Sequence, residues 1–70
     1  MRMADIRVVV GAKVRKLREK NRLSQEQLGF ESGLHRNYIG GVERGERNIG
    51  VVNLAKLATA LSVRPRDLLP

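Results

Sequence analysis

Apolar residues recur at intervals of three and four along most of the chain, which is the spacing of one buried face of a helix. Over residues 4–21 the recurring positions are Ile6, Val9 or Val10, Val14 and Leu17. Over residues 51–61 they are Val51, Leu54, Leu57, Ala58 and Leu61. The consecutive valines at 8–10 favour a strand instead, but the length of this segment and the basic run over 13–20 favour a helix. We therefore predict helices over 4–21 and 51–61.

A short helix is predicted over residues 25–32 from the residues at its two ends. Ser24 and Gln27 have the Ser-x-x-Gln spacing of a capping box, which satisfies backbone donors at a helix start. Gly33 follows, and glycine readily adopts the positive φ that ends a helix. Leu28 is expected to face the core.

Two further helical segments complete the prediction. Ile39 and Val42 are three residues apart and mark the buried side of a helix over 35–44. Pro65 suits the first position of a helix and predicts a short final turn over 65–69. The predicted fold is therefore all-α, a five-helix bundle, in a single domain that covers residues 1–70.

The charge balance favours a polyanionic partner. The chain has 14 basic and 7 acidic residues, a formal net charge of +7, and ten of the basic residues are arginines. Such a surplus suits DNA, RNA or an acidic membrane surface. Tyr38 and Phe30 are the only aromatic residues, which disfavours RNA modules that stack bases on several rings. The valines and leucine of a basic membrane-surface helix over 2–22 are better explained as core, and no run approaches the about 18 apolar residues of a membrane span.

The same composition argues against disulfide, metal and catalytic sites. The chain has no cysteine and His35 is its only histidine, so a disulfide scaffold and a zinc site are both excluded. No paired acid and base, nucleophile or metal set is evident. We expect no enzyme activity, no cofactor, no metal and no small-molecule ligand.

The two short helices are predicted to follow each other through a short turn that contains Gly33. Two helices joined in this way form the arrangement that lays a second helix in the major groove of DNA. Duplex DNA is therefore the expected partner, in the cytoplasm and associated with the nucleoid.

Six short pieces of sequence, of which Gly33 and Tyr38-Ile39 are separate, carry a family resemblance when they are taken in order. They are Val14-Arg15-Lys16-Leu17-Arg18, Leu23-Ser24-Gln25-Glu26-Gln27-Leu28, Gly33 with Tyr38-Ile39, Val42-Glu43-Arg44-Gly45, and Leu57-Ala58-Thr59-Ala60-Leu61. Over residues 9–69 the chain resembles the Cro/C1-type helix-turn-helix family, also called the Xre family. The resemblance implies a lambda-repressor-like fold, sequence-specific binding to duplex DNA, a homodimer on a palindromic operator, and transcriptional control in bacteria or phage. Residues 34–39, 43–44 and 47–48 are most similar to controller proteins of restriction–modification systems.

Four residues at the start of the predicted 35–44 helix are candidates for reading bases. Arg36 can bond guanine O6 and N7 with both prongs of its guanidinium, and Asn37 can pair with adenine N6 and N7 or bond its own helix backbone. Tyr38 contacts a thymine methyl group or a phosphate, or packs half against the core. His35 caps the helix or contacts DNA.

Other polar residues are expected to bind the DNA backbone or the scaffold. The candidates for phosphate contacts are Ser24, Gln25, Arg44, Arg47 and Asn48. For Gln25 the role is implied by the resemblance, as is a partly buried ion pair between Arg18 and Glu43 that is structural. Family members often carry alanine at the position of Gly29, and a side chain able to reach DNA at the position of Gly41.

Leu68 and Leu69, with parts of 51–61, are expected to form a self-complementary dimer interface, or else to close the core of the single chain. An alternative function is an antitoxin-type module that binds a partner protein as well as DNA. Phe30 and the terminal leucines would then contact the toxin.

Overall fold

The computed structural model describes residues 5–70, which form four α-helices and one 3-10 turn. The helices are α1 (Ile6–Lys20), α2 (Gln25–Ser32), α3 (Arg36–Glu43) and α4 (Val51–Ala60), and the 3-10 turn is Pro65–Leu68. No strand occurs in the described part of the chain, so the all-α prediction is confirmed. The predicted fifth helix is only a 3-10 turn, because four residues are too few for an α-helical hydrogen-bond ladder. The predicted start of the first helix, residue 4, lies outside the described residues.

Local side-chain contacts fix the helix ends. The Asp5 carboxylate accepts a hydrogen bond from the backbone N–H of Arg7 (2.9 Å) and caps α1. Ser24 Oγ accepts from the Gln27 N–H (3.0 Å), and Gln27 Oε1 accepts from the Ser24 N–H (2.7 Å). This capping box begins α2, and Gly33 ends it with a φ of 73°. The helix predicted over 25–32 is therefore confirmed, and α2 has the same bounds.

Each element contributes apolar side chains to one core. The buried members are Val10, Val14, Leu28, Ile39, Val42, Leu54, Leu57, Ala58, Leu61 and Leu68. Ile6 and Val51, predicted on the buried faces of their helices, are 54% and 81% exposed. Both lie in the first turn of a helix, beyond the reach of the core. None of the helices in residues 5–70 is long and apolar enough to span a bilayer.

Leu68 belongs to the core of the single chain. Its side chain is 0% exposed, and the 3-10 turn that carries it packs on α4 and α1. A side chain with no accessible surface has nothing to offer a second subunit, so the prediction of Leu68 as a dimer contact is corrected. Leu69 is 38% exposed.

The backbones of α1 and α3 approach each other closely at Gly11. A Cβ at this position would fall on the carbonyl oxygen of Val42, well inside contact distance, and 2.9 Å from that of Glu43. The C-terminal end of α3 therefore lies directly against α1.

Replacing Gly11 with alanine is expected to lower the free energy of unfolding, since a backbone has to move to admit the methyl group, at a cost of about 1–3 kcal/mol. The helix-propensity gain of roughly 1 kcal/mol offsets part of this cost, so the net loss is up to about 2 kcal/mol. Urea unfolding measures the difference. Gly50→Ala, at the N-cap of α4, is the control for a methyl group added in open space, because nothing lies within 4 Å of the position that its methyl group would take. An unchanged midpoint for Gly11→Ala would contradict the close approach.

Candidate nucleic-acid interface

The turn between α2 and α3 is short and packed directly on α2. Its backbone closes with a hydrogen bond from the Leu34 N–H to the Gly29 carbonyl (2.9 Å). A Cβ at Gly29 would lie 2.5 Å from the Leu34 carbonyl oxygen. A glycine here lets the turn lie against the helix, so α3 starts immediately beside α2.

Helix α3 separates a buried face from an outward face. Ile39 is 0% exposed and Val42 is 2% exposed, whereas Arg36 and Asn37, at the N-terminal end, are exposed. His35 precedes them and caps the helix, because its Nδ1 accepts a hydrogen bond from the Asn37 N–H (3.0 Å). The cap occupies Nδ1 and leaves Nε2 as the ring atom available to a ligand.

Arg36 forms an ion pair across the turn. Its Nη1 lies 2.7 Å from Glu26 Oε2, and the two side chains are 61% and 72% exposed. An exposed pair of this kind contributes at most about 1 kcal/mol, whereas a bidentate guanine contact contributes about 1–3 kcal/mol. The Arg36 guanidinium can therefore leave Glu26 when a stronger hydrogen-bonding partner is present.

Tyr38 is held by residues from two other segments. Its hydroxyl accepts a hydrogen bond from Asn53 Nδ2 of α4 (3.2 Å), and the guanidinium carbon of Arg47 lies 5.6 Å from the ring centroid. The ring also packs against the core. Asn53 was missed by the sequence reasoning, because no local pattern links it to a tyrosine in the preceding helix.

Arg44, Arg47 and Asn48 are exposed around the end of α3 and the loop after it. Arg44 Nε lies 3.0 Å from Glu46 Oε2. Hydrogen bonding to Arg44 lowers the pKa of the Glu46 carboxyl, and the same bond raises the pKa of Arg44. Both groups are therefore charged at neutral pH, and an anion would compete with Glu46 for this arginine.

Glu43 connects three helices through one carboxylate. Its oxygens accept from Arg18 Nε (2.6 Å) and Arg18 Nη2 (3.0 Å) of α1, and from Gln25 Nε2 (3.1 Å) of α2. The side chains of Arg18 and Glu43 are 13% and 4% exposed. Hydrogen bonding to Glu43 raises the pKa of Arg18. The two residues predicted to pair are thus brought together, and Gln25 joins them.

Two of the predicted phosphate contacts lie at the start of α2. Ser24 is its N-cap and Gln25 its first residue, so both stand where backbone N–H groups point out of the helix. Ser24 Oγ accepts from the Gln27 N–H, which leaves the hydroxyl hydrogen as a donor.

The C-terminal residues are hydrogen-bonded to α1. Lys13 Nζ donates to the Leu69 carbonyl (2.6 Å). The Leu69 side chain borders a shallow pocket together with Ile6 and Ile49. Asn48, a predicted phosphate contact, borders the same pocket, whereas the predicted base-reading residues at the start of α3 do not.

The predicted DNA-contacting residues gather on the α2–turn–α3 unit and the loop after α3. Exposed basic and amide groups there surround a helix whose other side is core. Among residues 5–70, no three His, Cys, Asp or Glu side chains form a group able to hold a metal ion. The arrangement suits an anionic, hydrogen-bonding surface.

Known proteins share this sequence and fold. A family model described as helix-turn-helix matches residues 14–68. The control protein C.BamHI of Bacillus amyloliquefaciens is 50% identical over 66 residues, which are 93% of this chain and 82% of that protein. The crystal structure of the restriction-modification controller protein C.AhdI from Aeromonas hydrophila has 56% identity and a TM-score of 0.86, covering 89% of this chain and 94% of that one. The P22 c2 repressor, solved in complex with a synthetic operator, has 33% identity and a TM-score of 0.83, covering 87% and 92%.

Proposed function

The chain belongs to the Cro/C1-type helix-turn-helix family of DNA-binding transcriptional regulators, and we propose that it binds a palindromic operator as a homodimer with α3 in the major groove. One observation carries this proposal. Arg36 and Asn37 are exposed at the N-terminal end of α3, while the opposite face of the helix is core. A helix anchored in this way presents its first residues to base edges.

Each residue near the start of α3 is proposed to contact a different part of the DNA. Arg36 bonds guanine and Asn37 bonds adenine along the groove floor. Tyr38 is tied to Asn53 through its hydroxyl and offers its ring edge to a thymine methyl group. His35 uses Nδ1 in the cap and donates from Nε2 to DNA.

Phosphate contacts flank this helix and set its register without reading sequence. At the start of α2 they come from the Ser24 hydroxyl and from the second N–H of Gln25 Nε2, whose first N–H is donated to Glu43. Beyond the end of α3 they come from Arg44, which leaves Glu46, and from Asn48. The net charge of +7 supports a strong electrostatic part of the binding.

The dimer contact is proposed at exposed apolar side chains away from α3. Leu69 is 38% exposed and Ile6, on the same shallow pocket, is 54% exposed. Val51 and Val52, at the start of α4, are 81% and 68% exposed. A twofold interface uses the same patch on both subunits, and apolar residues suit such self-complementary contact.

The regulated system is proposed to be a restriction–modification system, in the cytoplasm at the nucleoid. The relatives named above support this, since one is a control protein and another a restriction-modification controller. They favour a regulator over the antitoxin-type alternative.

Selection of bound duplexes from a random pool tests the function, with fluorescence anisotropy and sedimentation on the selected site. We expect a palindromic site that binds two chains. The affinity should fall with salt by about 0.9 log units per log unit of salt for each phosphate neutralised. Equal affinity for all sequences would overturn the sequence-specific role, and one chain per selected site would overturn the dimer.

A further inference from the structure

Three of the four lysines in the chain lie on one side of α1. Lys13, Lys16 and Lys20 are spaced by three and four residues, so they follow one face of the helix over about 10 Å. This lysine face lines an open groove between α1 and the 3-10 turn, together with Leu17 and Asp67. Lys16 and Lys20 are exposed, and Lys13 is partly buried.

The lysine face is turned away from α3. Gly11 and Arg18 mark the side of α1 that contacts α3, because a Cβ at Gly11 would meet carbonyl groups of α3 and Arg18 pairs with Glu43. At about 100° per residue, the centre of the lysine face lies about 180° around α1 from that side. DNA bound along the outward side of α3 therefore leaves the lysine face open.

The charge of the lysine face is not compensated within the described residues. Five ion pairs occur in residues 5–70, and each is made by an arginine. Lys13 donates to the uncharged Leu69 carbonyl, and Asp67, across the groove, accepts from the backbone of its own turn (2.9 Å). Lys16 and Lys20 lie four residues apart, and like charges at this spacing destabilise a helix. An acidic partner would remove that cost.

We propose that the lysine face is a docking site for an acidic helical segment of another protein. The carboxylates of that segment pair with the lysines, and an apolar side chain between them packs on Leu17, which is partly buried against the core. The inference goes beyond the proposed function and rests on it only for the position of DNA on the far side of α3.

Two features of the groove favour a protein over a second nucleic acid. Its apolar residue, Leu17, suits an apolar side chain and has no use for a phosphate. Duplex DNA carries a negative charge about every 1.7 Å along its axis, which brings phosphates close to Asp67. Carboxylates on a helix can instead be spaced to match the lysines alone.

Fluorescence anisotropy of the whole 70-residue chain with a labelled helical peptide tests the docking site. The peptide carries three glutamates with the spacing of the lysines and a leucine directly after the second glutamate. A second peptide has glutamines in place of the glutamates. Each exposed ion pair changes an affinity by up to about fivefold, so the glutamate peptide should bind roughly 10- to 100-fold more tightly.

Variants of the lysine face locate the binding. Lys16→Gln should weaken the glutamate peptide by roughly 2- to 5-fold, and Lys16→Gln with Lys20→Gln by roughly 4- to 25-fold. Both side chains are exposed, so the melting temperature should change little. Lys56→Gln is the matched control, because it removes an exposed lysine from α4 and should leave the affinity unchanged.

A charge exchange separates docking from general attraction to a basic protein. Lys16→Glu with Lys20→Glu should reject the glutamate peptide and prefer a peptide with lysines at the glutamate positions. The wild-type chain should have the opposite preference. Equal binding of the glutamate and glutamine peptides, equal losses in Lys16→Gln and Lys56→Gln, or no reversal after the charge exchange would each overturn the inference.

Binding to the selected DNA site tests the nucleic-acid alternative. Lys16→Gln with Lys20→Gln should keep the site preference and the salt dependence of the wild-type chain. A salt slope shallower by about 0.9 for each lysine would show that the lysines contact phosphates, and would overturn docking of a protein. A wild-type chain without any site preference would overturn the proposed function, whereas the peptide measurements are made without DNA and fail or succeed separately.

Discussion

Replacing Glu43 with glutamine is expected to lower the free energy of unfolding by about 3 kcal/mol. The Glu43 side chain is 4% exposed and that of Arg18 is 13% exposed. Glutamine keeps the shape but leaves the guanidinium without a counter-charge, and its amide group directs a donor toward other donors. Since 1 kcal/mol shifts the melting temperature of a domain this size by about 4–8 °C, calorimetry should record a fall on the order of 15 °C.

Glu19→Gln is the matched control for this loss. Glu19 Oε2 lies 3.7 Å from Arg15 Nε, and both side chains are more than half exposed, so the change should amount to less than about 1 kcal/mol. A combined Arg18→Met and Glu43→Leu variant should recover much of the stability, because no charge is then left unpaired. Equal melting temperatures for Glu43→Gln and Glu19→Gln would show that the pair does not anchor α3.

Replacing both Arg36 and Asn37 with alanine is expected to abolish most of the preference for the selected site. Each bidentate base contact contributes about 1–3 kcal/mol of discrimination, so the double variant should lose roughly 30-fold to more than 10⁴-fold. Both side chains are exposed, so the melting temperature should change little. Competition anisotropy between the selected site and a scrambled duplex measures the ratio.

Arg66→Ala removes the same charge as the double variant and is its control. Arg66 is exposed on the 3-10 turn, which packs on α4 and α1, away from α3. Its removal should leave the ratio between selected and scrambled DNA unchanged. If the Arg36 and Asn37 double variant is folded and keeps that ratio, α3 does not read the bases.

The helix bounds were largely predictable because their causes are local. A capping box and a glycine define α2 within ten residues of sequence, and the predicted 25–32 agrees with Gln25–Ser32. The predicted 51–61 differs from Val51–Ala60 by one residue. In α3 the predicted range 35–44 includes the two capping residues, His35 and Arg44.

The contacts that shape the candidate interface were not predictable in the same way. Asn53 of α4 donates a hydrogen bond to Tyr38 of α3, and Arg47, in the loop between these helices, packs over Gly41. Such contacts depend on how helices pack and leave no periodic signal. The close approach at Gly11 had only a weak signal, a glycine inside a helix. Leu68 and Leu69 are adjacent and chemically identical, so only the packing of the 3-10 turn distinguishes them.

Helix α3 carries its buried core contacts and its two strongest candidate base contacts on different side chains. Ile39 and Val42 are enclosed, and Arg36 and Asn37 add nothing to the core. If Arg36 and Asn37 read the operator as proposed, the preferred DNA sequence can change while folding stability is preserved. Under that proposal, a library that varies only these two exposed positions can yield new DNA preferences in a chain whose buried residues are unchanged.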